Sequence, residues 1–93
     1  MISKKLKKAR QKIDRVDKGI FKLIRKRSQI VKYMLSLKKH KKEIVDKKRI
    51  NEILKIIKKK SIKNKMDPLI TKKIWKSMIW AYVDYQKRNF KKK

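Results

Sequence analysis

Five polar side chains fall on or beside the apolar faces of the helices that the sequence predicts: Arg10, Arg27, Lys38, Arg49 and Gln86. Buried charges need partners of opposite sign, and three of the six arginines of the chain belong to this group. Because the chain has only seven acidic residues, partners within it are scarce, and an anionic ligand would supply them. The planar guanidinium of arginine binds a carboxylate through two parallel hydrogen bonds, so we expect a carboxylate ligand.

Each of these side chains also has an ordinary interpretation. A long cationic side chain can lay its stem on apolar surface and keep its charged head in water. His40 lies in a lysine-rich loop, and we interpret it as a solvated residue. The chain contains neither a nucleophile elbow nor a glycine-rich phosphate loop. Acid–base and covalent catalysis are therefore poorly supported, whereas a reaction that needs only positioning and electrostatics remains open.

Three helices must position these side chains, because the apolar residues recur at steps of three and four. Ser3 and Asp46 suit the starts of two of them, and Asp67 followed by Pro68 is typical of a third start. The third helix carries the apolar stripe Ile70, Ile74, Trp75, Met78, Ile79 and Tyr82. We predict an all-α fold with helices over residues 3–38, 46–60 and 68–90, a polar loop at 39–45 and a linker at 61–66.

Length and composition narrow the class of protein. The 93 residues are enough for a single domain, over residues 1–93. The chain has no cysteine, which excludes a disulfide framework and a cysteine-ligated metal site and fits a reducing compartment. No apolar run approaches the roughly 20 residues that span a bilayer. We therefore expect a cytoplasmic protein without a membrane partner.

The predicted first helix is too long to bury its whole apolar stripe against two shorter helices. Part of that stripe must meet another chain, and most soluble oligomers are symmetric dimers. The sequence therefore predicts a homodimer.

The net charge of +27 has two interpretations. A dense basic surface attracts phosphate, which favours a nucleic-acid-binding protein that uses the outer lysines, such as residues 58–60 and 91–93. An A/T-rich genome also favours Lys, Ile and Asn, and it would produce such a bias on the solvated surface of any protein. Charge bears on solubility and non-specific binding, not on fold. We therefore expect nucleic acid to bind non-specifically, if it binds.

Two motifs on the first helix carry a family resemblance. Residues 10–17 have the pattern R-x-x-I-D-x-V-D, and residues 23–27 read L-I-x-x-R and end on Arg27. Lys38 follows eleven residues later. Residues 45–49 read V-D-x-x-R, and the closing segment has Met-Asp-Pro at 66–68, Ile-Trp-Lys-Ser-Met-Ile at 74–79, and then Gln86. In this order the motifs resemble the all-helical chorismate mutase family and its close relative, isochorismate pyruvate-lyase.

The resemblance implies an intertwined homodimer of three-helix chains with two equivalent sites. By this likeness Arg10 reaches into the site of the partner chain, and Arg10 and Arg27 bind the two carboxylates of the substrate, chorismate or isochorismate. It implies neither a metal nor a cofactor.

The same resemblance assigns the remaining site residues. Lys38 and Gln86 would flank the ether oxygen of the enolpyruvyl group and carry the catalysis. Asp46 and Arg49 would position the ring and its hydroxyl group.

One residue departs from the pattern of many mutases. Those proteins carry glutamate directly after the arginine that corresponds to Arg49, whereas this chain has Ile50. Glu52, three residues past Arg49, is expected on a different helix face and is not an obvious replacement for the missing glutamate. The missing glutamate and the closing residues 78–83 with Phe90 resemble the lyase branch. We favour the mutase, because it is the commoner role of such short chains, and keep the lyase as the alternative.

Overall fold

The computed structural model describes residues 3–92, and within that range the chain is helical with no strand. The elements are α1 (Lys4–Leu37), a 3₁₀ turn (Lys41–Glu43), α2 (Lys47–Lys63) and α3 (Pro68–Asn89). The predicted all-α fold of three helices with a long first helix is confirmed. None of the described helices is both long and apolar enough to cross a membrane.

Side chains that precede each helix explain where the helices begin. The Ser3 hydroxyl accepts the backbone N–H of Leu6 at 3.2 Å, and the Asp46 carboxylate accepts the N–H of Arg49 at 3.0 Å. Asp67 accepts the N–H of the second residue of α3 at 2.9 Å, and Pro68 occupies its first position. The backbone N–H groups of the first turn of a helix have no partner within the helix, and these side chains supply one. Each such capping interaction is worth about 1 kcal/mol. All three predicted caps are confirmed.

The predicted end of α2 is wrong, because the helix runs through Ser61 to Lys63 instead of stopping at Lys60. Ser61 is 2% exposed. Its hydroxyl donates to the Ile57 carbonyl at 2.7 Å and lies 2.7 Å from the Thr71 hydroxyl on α3. A buried hydroxyl without such partners would be destabilising, so the segment taken for a linker is part of the α2–α3 packing.

The turn between α2 and α3 is correspondingly short. Lys65 has a φ of 57°, in the left-handed region. Its N–H donates to the Ile62 carbonyl at 3.2 Å, and the N–H of Met66 donates to the Ser61 carbonyl at 2.8 Å. This pair of bonds is the Schellman pattern that closes many helices. A lysine in place of the usual glycine costs about 1 kcal/mol, which the two hydrogen bonds offset.

The predicted polar loop at 39–45 is more ordered than its composition indicates. It contains the 3₁₀ turn, and Ile44 is only 5% exposed. Ile44 forms a buried cluster with Leu35 and Val83, against which Val45, Tyr85 and Phe90 pack. The loop is therefore anchored by an apolar side chain that its lysine-rich surroundings concealed.

The chain divides into two compact units, residues 1–33 and 34–93. The first unit is helical from Lys4 onward, and most of its large apolar side chains are exposed: Leu6, Ile13, Val16, Ile20, Phe21, Leu23, Ile24 and Ile30. The second unit comprises the last turn of α1, the loop, α2 and α3, and it contains the buried cluster.

In α3 the buried face differs in part from the predicted stripe. Ile79 and Val83 are buried, and Trp75, Met78 and Tyr82 are half-buried. Ile70 and Ile74, which the stripe included, are more than half exposed, whereas Thr71 and Gln86 are buried. The second unit therefore buries two polar side chains of α3 and leaves two isoleucines on its surface.

Candidate active site

Lys38 and Gln86 meet within the second unit although 48 residues separate them. Lys38 directly follows α1, and Gln86 lies near the end of α3. The Lys38 Nζ donates to the Gln86 Oε1 at 2.6 Å. The Gln86 Nε2 in turn donates to the Tyr82 carbonyl at 3.2 Å. Since Gln86 is only 7% exposed, these two bonds orient its amide and place the lysine ammonium.

The environment of Lys38 is partly desolvated. Burial lowers the pKa of its ammonium below the usual lysine value, while the nearby carboxylates of Glu43 and Asp46 act in the opposite direction. A cation with fewer waters around it interacts more strongly with an incoming negative charge. The geometry therefore suits Lys38 to stabilise an oxygen on which charge develops.

An open hollow of about 670 Å³ lies beside this pair, and its lining consists of Lys38, Lys42, Glu43, Val45, Asp46 and Lys47. This volume falls in the range of small-molecule sites. Lys38 and Asp46 therefore face one space, and the lysines at 42 and 47 make that space attractive to an anion. Asp46 has a second role there, because the same carboxylate caps α2.

The backbone N–H of Arg49 donates to the Asp46 carboxylate, but the Arg49 side chain lies at the surface. Its guanidinium is 3.7 Å from the Glu52 carboxylate, and both side chains are more than half exposed. The expectation that Glu52 lies on a different face from Arg49 is wrong, because residues three apart on a helix are neighbours. An exposed pair of this kind is worth at most about 1 kcal/mol, so Glu52 does little to hold the Arg49 guanidinium in place.

Arg10 and Arg27 both belong to the first unit, as part of α1. Arg10 is exposed and Arg27 is half-buried. They are 17 residues apart, which is about 25 Å along a helix. One copy of α1 therefore cannot bring both guanidinium groups to the same small ligand.

Sequence reasoning overlooked Glu43, whose carboxylate accepts the backbone N–H of Lys39 at 2.8 Å and of His40 at 2.7 Å. The hydrogen bond from His40 and then that from Lys39 lower the pKa of Glu43, and the charges of His40 and Lys38 add to this effect. The signal that could have revealed it is one acidic residue among the lysines of the loop at 39–45. His40 itself is exposed, as predicted.

No group of three or more His, Cys, Asp or Glu side chains within residues 3–92 is arranged to hold a metal ion.

A comparison with protein families identifies one family for this chain. The family model of chorismate mutase type II matches residues 9–87, a span that contains all six predicted site residues. No curated protein and no solved structure matches the chain significantly. The match covers most of the chain, and the chain therefore belongs to the chorismate mutase type II family.

Proposed function

We propose that this protein catalyses the rearrangement of chorismate to prephenate. The observation that carries the proposal is the contact of Lys38 with Gln86 beside a hollow that Asp46 also lines. Two helices that are distant in sequence hold a partly desolvated cation against a buried amide there. The amide fixes the cation at the rim of a basic hollow, which is what an anionic reactant requires.

The chemistry of the rearrangement needs no proton transfer. A carbon–oxygen bond breaks while a carbon–carbon bond forms, and the ether oxygen gains negative charge in the transition state. Lys38 has three N–H donors, of which one is donated to Gln86. The others serve the ether oxygen, and this interaction is stronger in the transition state than in the ground state, which is the condition for catalysis.

The two carboxylates of the substrate require arginines that one chain cannot supply together. Because Arg10 and Arg27 are about 25 Å apart along α1, we propose that each site combines Arg27 of one copy with Arg10 of a second copy. The exposed apolar side chains of the first unit support a homodimer, since a helix with an apolar face is stable only when that face is covered. Such clamps hold a flexible substrate in its reactive conformation.

One observation favours a second candidate, isochorismate pyruvate-lyase. Ile50 is half-buried and directly follows Arg49, at the position where many mutases of the resembling family carry glutamate. An isoleucine cannot accept a hydrogen bond from the ring hydroxyl. A site that does not hold this hydroxyl fits the elimination of pyruvate from isochorismate, with salicylate as the other product.

A side-by-side assay distinguishes these reactions. The purified protein is given chorismate or isochorismate, and prephenate and salicylate are followed separately. We expect prephenate as the faster product. Faster formation of salicylate would replace the mutase with the lyase and identify Ile50 as its signature. If the folded protein forms neither product, both proposals fail, and the basic surface becomes the functional candidate.

A further inference from the structure

Glu43 lies where the chain leaves α1, five residues after Lys38. Its carboxylate accepts the N–H groups of the next two residues, Lys39 and His40. Glu43 also closes the 3₁₀ turn, because its own N–H donates to the His40 carbonyl at 3.1 Å. One residue thus joins both ends of the segment that follows Lys38, through its carboxylate and its backbone N–H.

The charges that face Lys38 come from each neighbouring element. Glu43 approaches from the 3₁₀ turn and Asp46 from the start of α2, and both are anionic. Gln86 approaches from α3 and is neutral. The lysines at 42 and 47 line the same hollow, and their positive charges disfavour the charged form of Lys38. Burial lowers the pKa of Lys38, and Glu43 is the larger of the two carboxylate influences that raise it.

We propose that Glu43 is a positioning residue, which fixes the start of the loop after Lys38 and supplies the negative charge that keeps this ammonium charged beside the hollow. The inference rests on the proposed function of Lys38. Glu43 also lines the hollow, but both of the roles proposed here act through Lys38 and the loop backbone.

Two substitutions separate these roles. Glu43→Gln retains an oxygen that accepts a backbone N–H but removes the charge. Glu43→Ala removes both. Because Glu43 is exposed on the turn, neither change leaves a cavity in the core. Asp84→Asn is the matched control, since it removes one negative charge from an exposed position on α3 that is not among the influences on Lys38.

The deciding measurement is the titration of Lys38 in the free dimeric protein, followed by the NMR shift of its ¹³Cε and assigned by its loss in Lys38→Gln. Removing a carboxylate lowers the pKa of a neighbouring ammonium. We therefore expect Glu43→Gln to titrate at lower pH than the parent, and Asp84→Asn to titrate with the parent. An unchanged Lys38 pKa in folded Glu43→Gln would overturn the charge role.

Turnover gives the second readout. The reaction needs the charged ammonium, so activity is lost as pH rises through the Lys38 pKa, and Glu43→Gln should lose it at lower pH. At alkaline pH we expect kcat to fall by about two- to fivefold, the range that an exposed charge pair is worth, with KM nearly unchanged. A pH profile of kcat identical to that of the parent would contradict the proposal.

The loop role is tested by hydrogen exchange at the amides of Lys39 and His40. We expect faster exchange in Glu43→Ala than in Glu43→Gln, and equal rates would overturn that role. The NMR titration and the amide exchange rates, unlike turnover, are independent of the reaction catalysed. If the parent forms neither product while Lys38 titrates as expected, the proposed function fails and the link from Glu43 to Lys38 stands.

Discussion

The two units of the chain differ in how many of their apolar side chains they bury. The second unit surrounds Leu35, Ile44 and Val83 with its own side chains, and it holds Lys38 against Gln86. The first unit exposes apolar side chains along its helix and carries the two arginines proposed to bind substrate. The Lys38–Gln86 pair is therefore built within one chain, whereas the proposed function requires a second copy for the carboxylate clamps.

The largest expected effect tests whether the carboxylate clamps of one site come from two chains. We expect Arg10→Ala and Arg27→Ala each to be nearly inactive as homodimers, because every site lacks one clamp. When the two variants exchange subunits, half of the dimers are mixed and each has one intact site, so activity should recover to about a quarter of the parent value in a two-site symmetric dimer. Recovery is measured by steady-state assay after mixing. Absence of recovery, with exchange shown by mass spectrometry, would mean that each site uses arginines of one chain.

The second prediction concerns the exposed stripe of the first unit. Ile20→Lys should raise the dimer dissociation constant about 100-fold or more, because each of two copies loses roughly 1.5 kcal/mol or more of buried surface. Sedimentation equilibrium measures this change. Gln29→Lys adds the same charge on the opposite, polar face and should leave the constant nearly unchanged. Equal effects of the two variants would show that repulsion and not burial governs assembly.

The third prediction concerns the second unit alone. Lys38→Ala should lower kcat by about 100-fold, as removal of one donor to a developing oxyanion does, while dimer assembly is preserved. Lys39→Ala removes the same charge at the next, exposed position and should keep most of the activity. A Lys38→Ala effect confined to KM would place this lysine away from the ether oxygen.

The fourth prediction tests the core of the second unit. Val83 is 4% exposed within the buried cluster, and Val83→Ala should lower the free energy of unfolding by about 2 kcal/mol through lost burial and the cavity left behind. Urea denaturation at fixed protein concentration measures it. Val16→Ala, at an exposed position of the first unit, should affect the same measurement only through dimerisation, so its effect should appear where the protein is dimeric and vanish at protein concentrations low enough for both proteins to be monomers.

The smallest expected effect concerns the buried bond between α2 and α3. Ser61→Ala removes the partner of the Thr71 hydroxyl, which retains only a long bond to the Pro68 carbonyl at 3.3 Å. We expect a loss of about 1 kcal/mol in the free energy of unfolding. Ser77→Ala, at an exposed position of α3, is the control. No difference between the two variants would show that the buried hydroxyl pair contributes no net stability.

Local patterns accounted for most of the fold. Ser3, Asp46 and Asp67 act on N–H groups two or three residues away, so short-range sequence was sufficient to place the starts of the helices. The end of α2 was misplaced because its last turn packs against α3, where the Ser61 hydroxyl meets the Thr71 hydroxyl, and such a contact does not show in the local pattern. Ile44 was missed because it is a lone apolar residue in a basic loop, and its burial depends on Leu35 and Val83.

For the candidate site, too, the sequence predicted one part and the tertiary structure showed the other. The motifs identified Lys38, Asp46 and Gln86 as members of one site, although nothing in their spacing brings residues 48 apart into contact. The tertiary structure alone decided that the Lys38 ammonium lies 2.6 Å from the Gln86 amide, and it alone revealed Glu43 beside it. The sequence was sufficient to predict the three helices, their N-terminal caps and the scarcity of internal anions, because these depend on near neighbours and composition, whereas the end of α2 did not follow from them. Packing decided which polar groups are desolvated together, because that depends on contacts between segments remote in the chain.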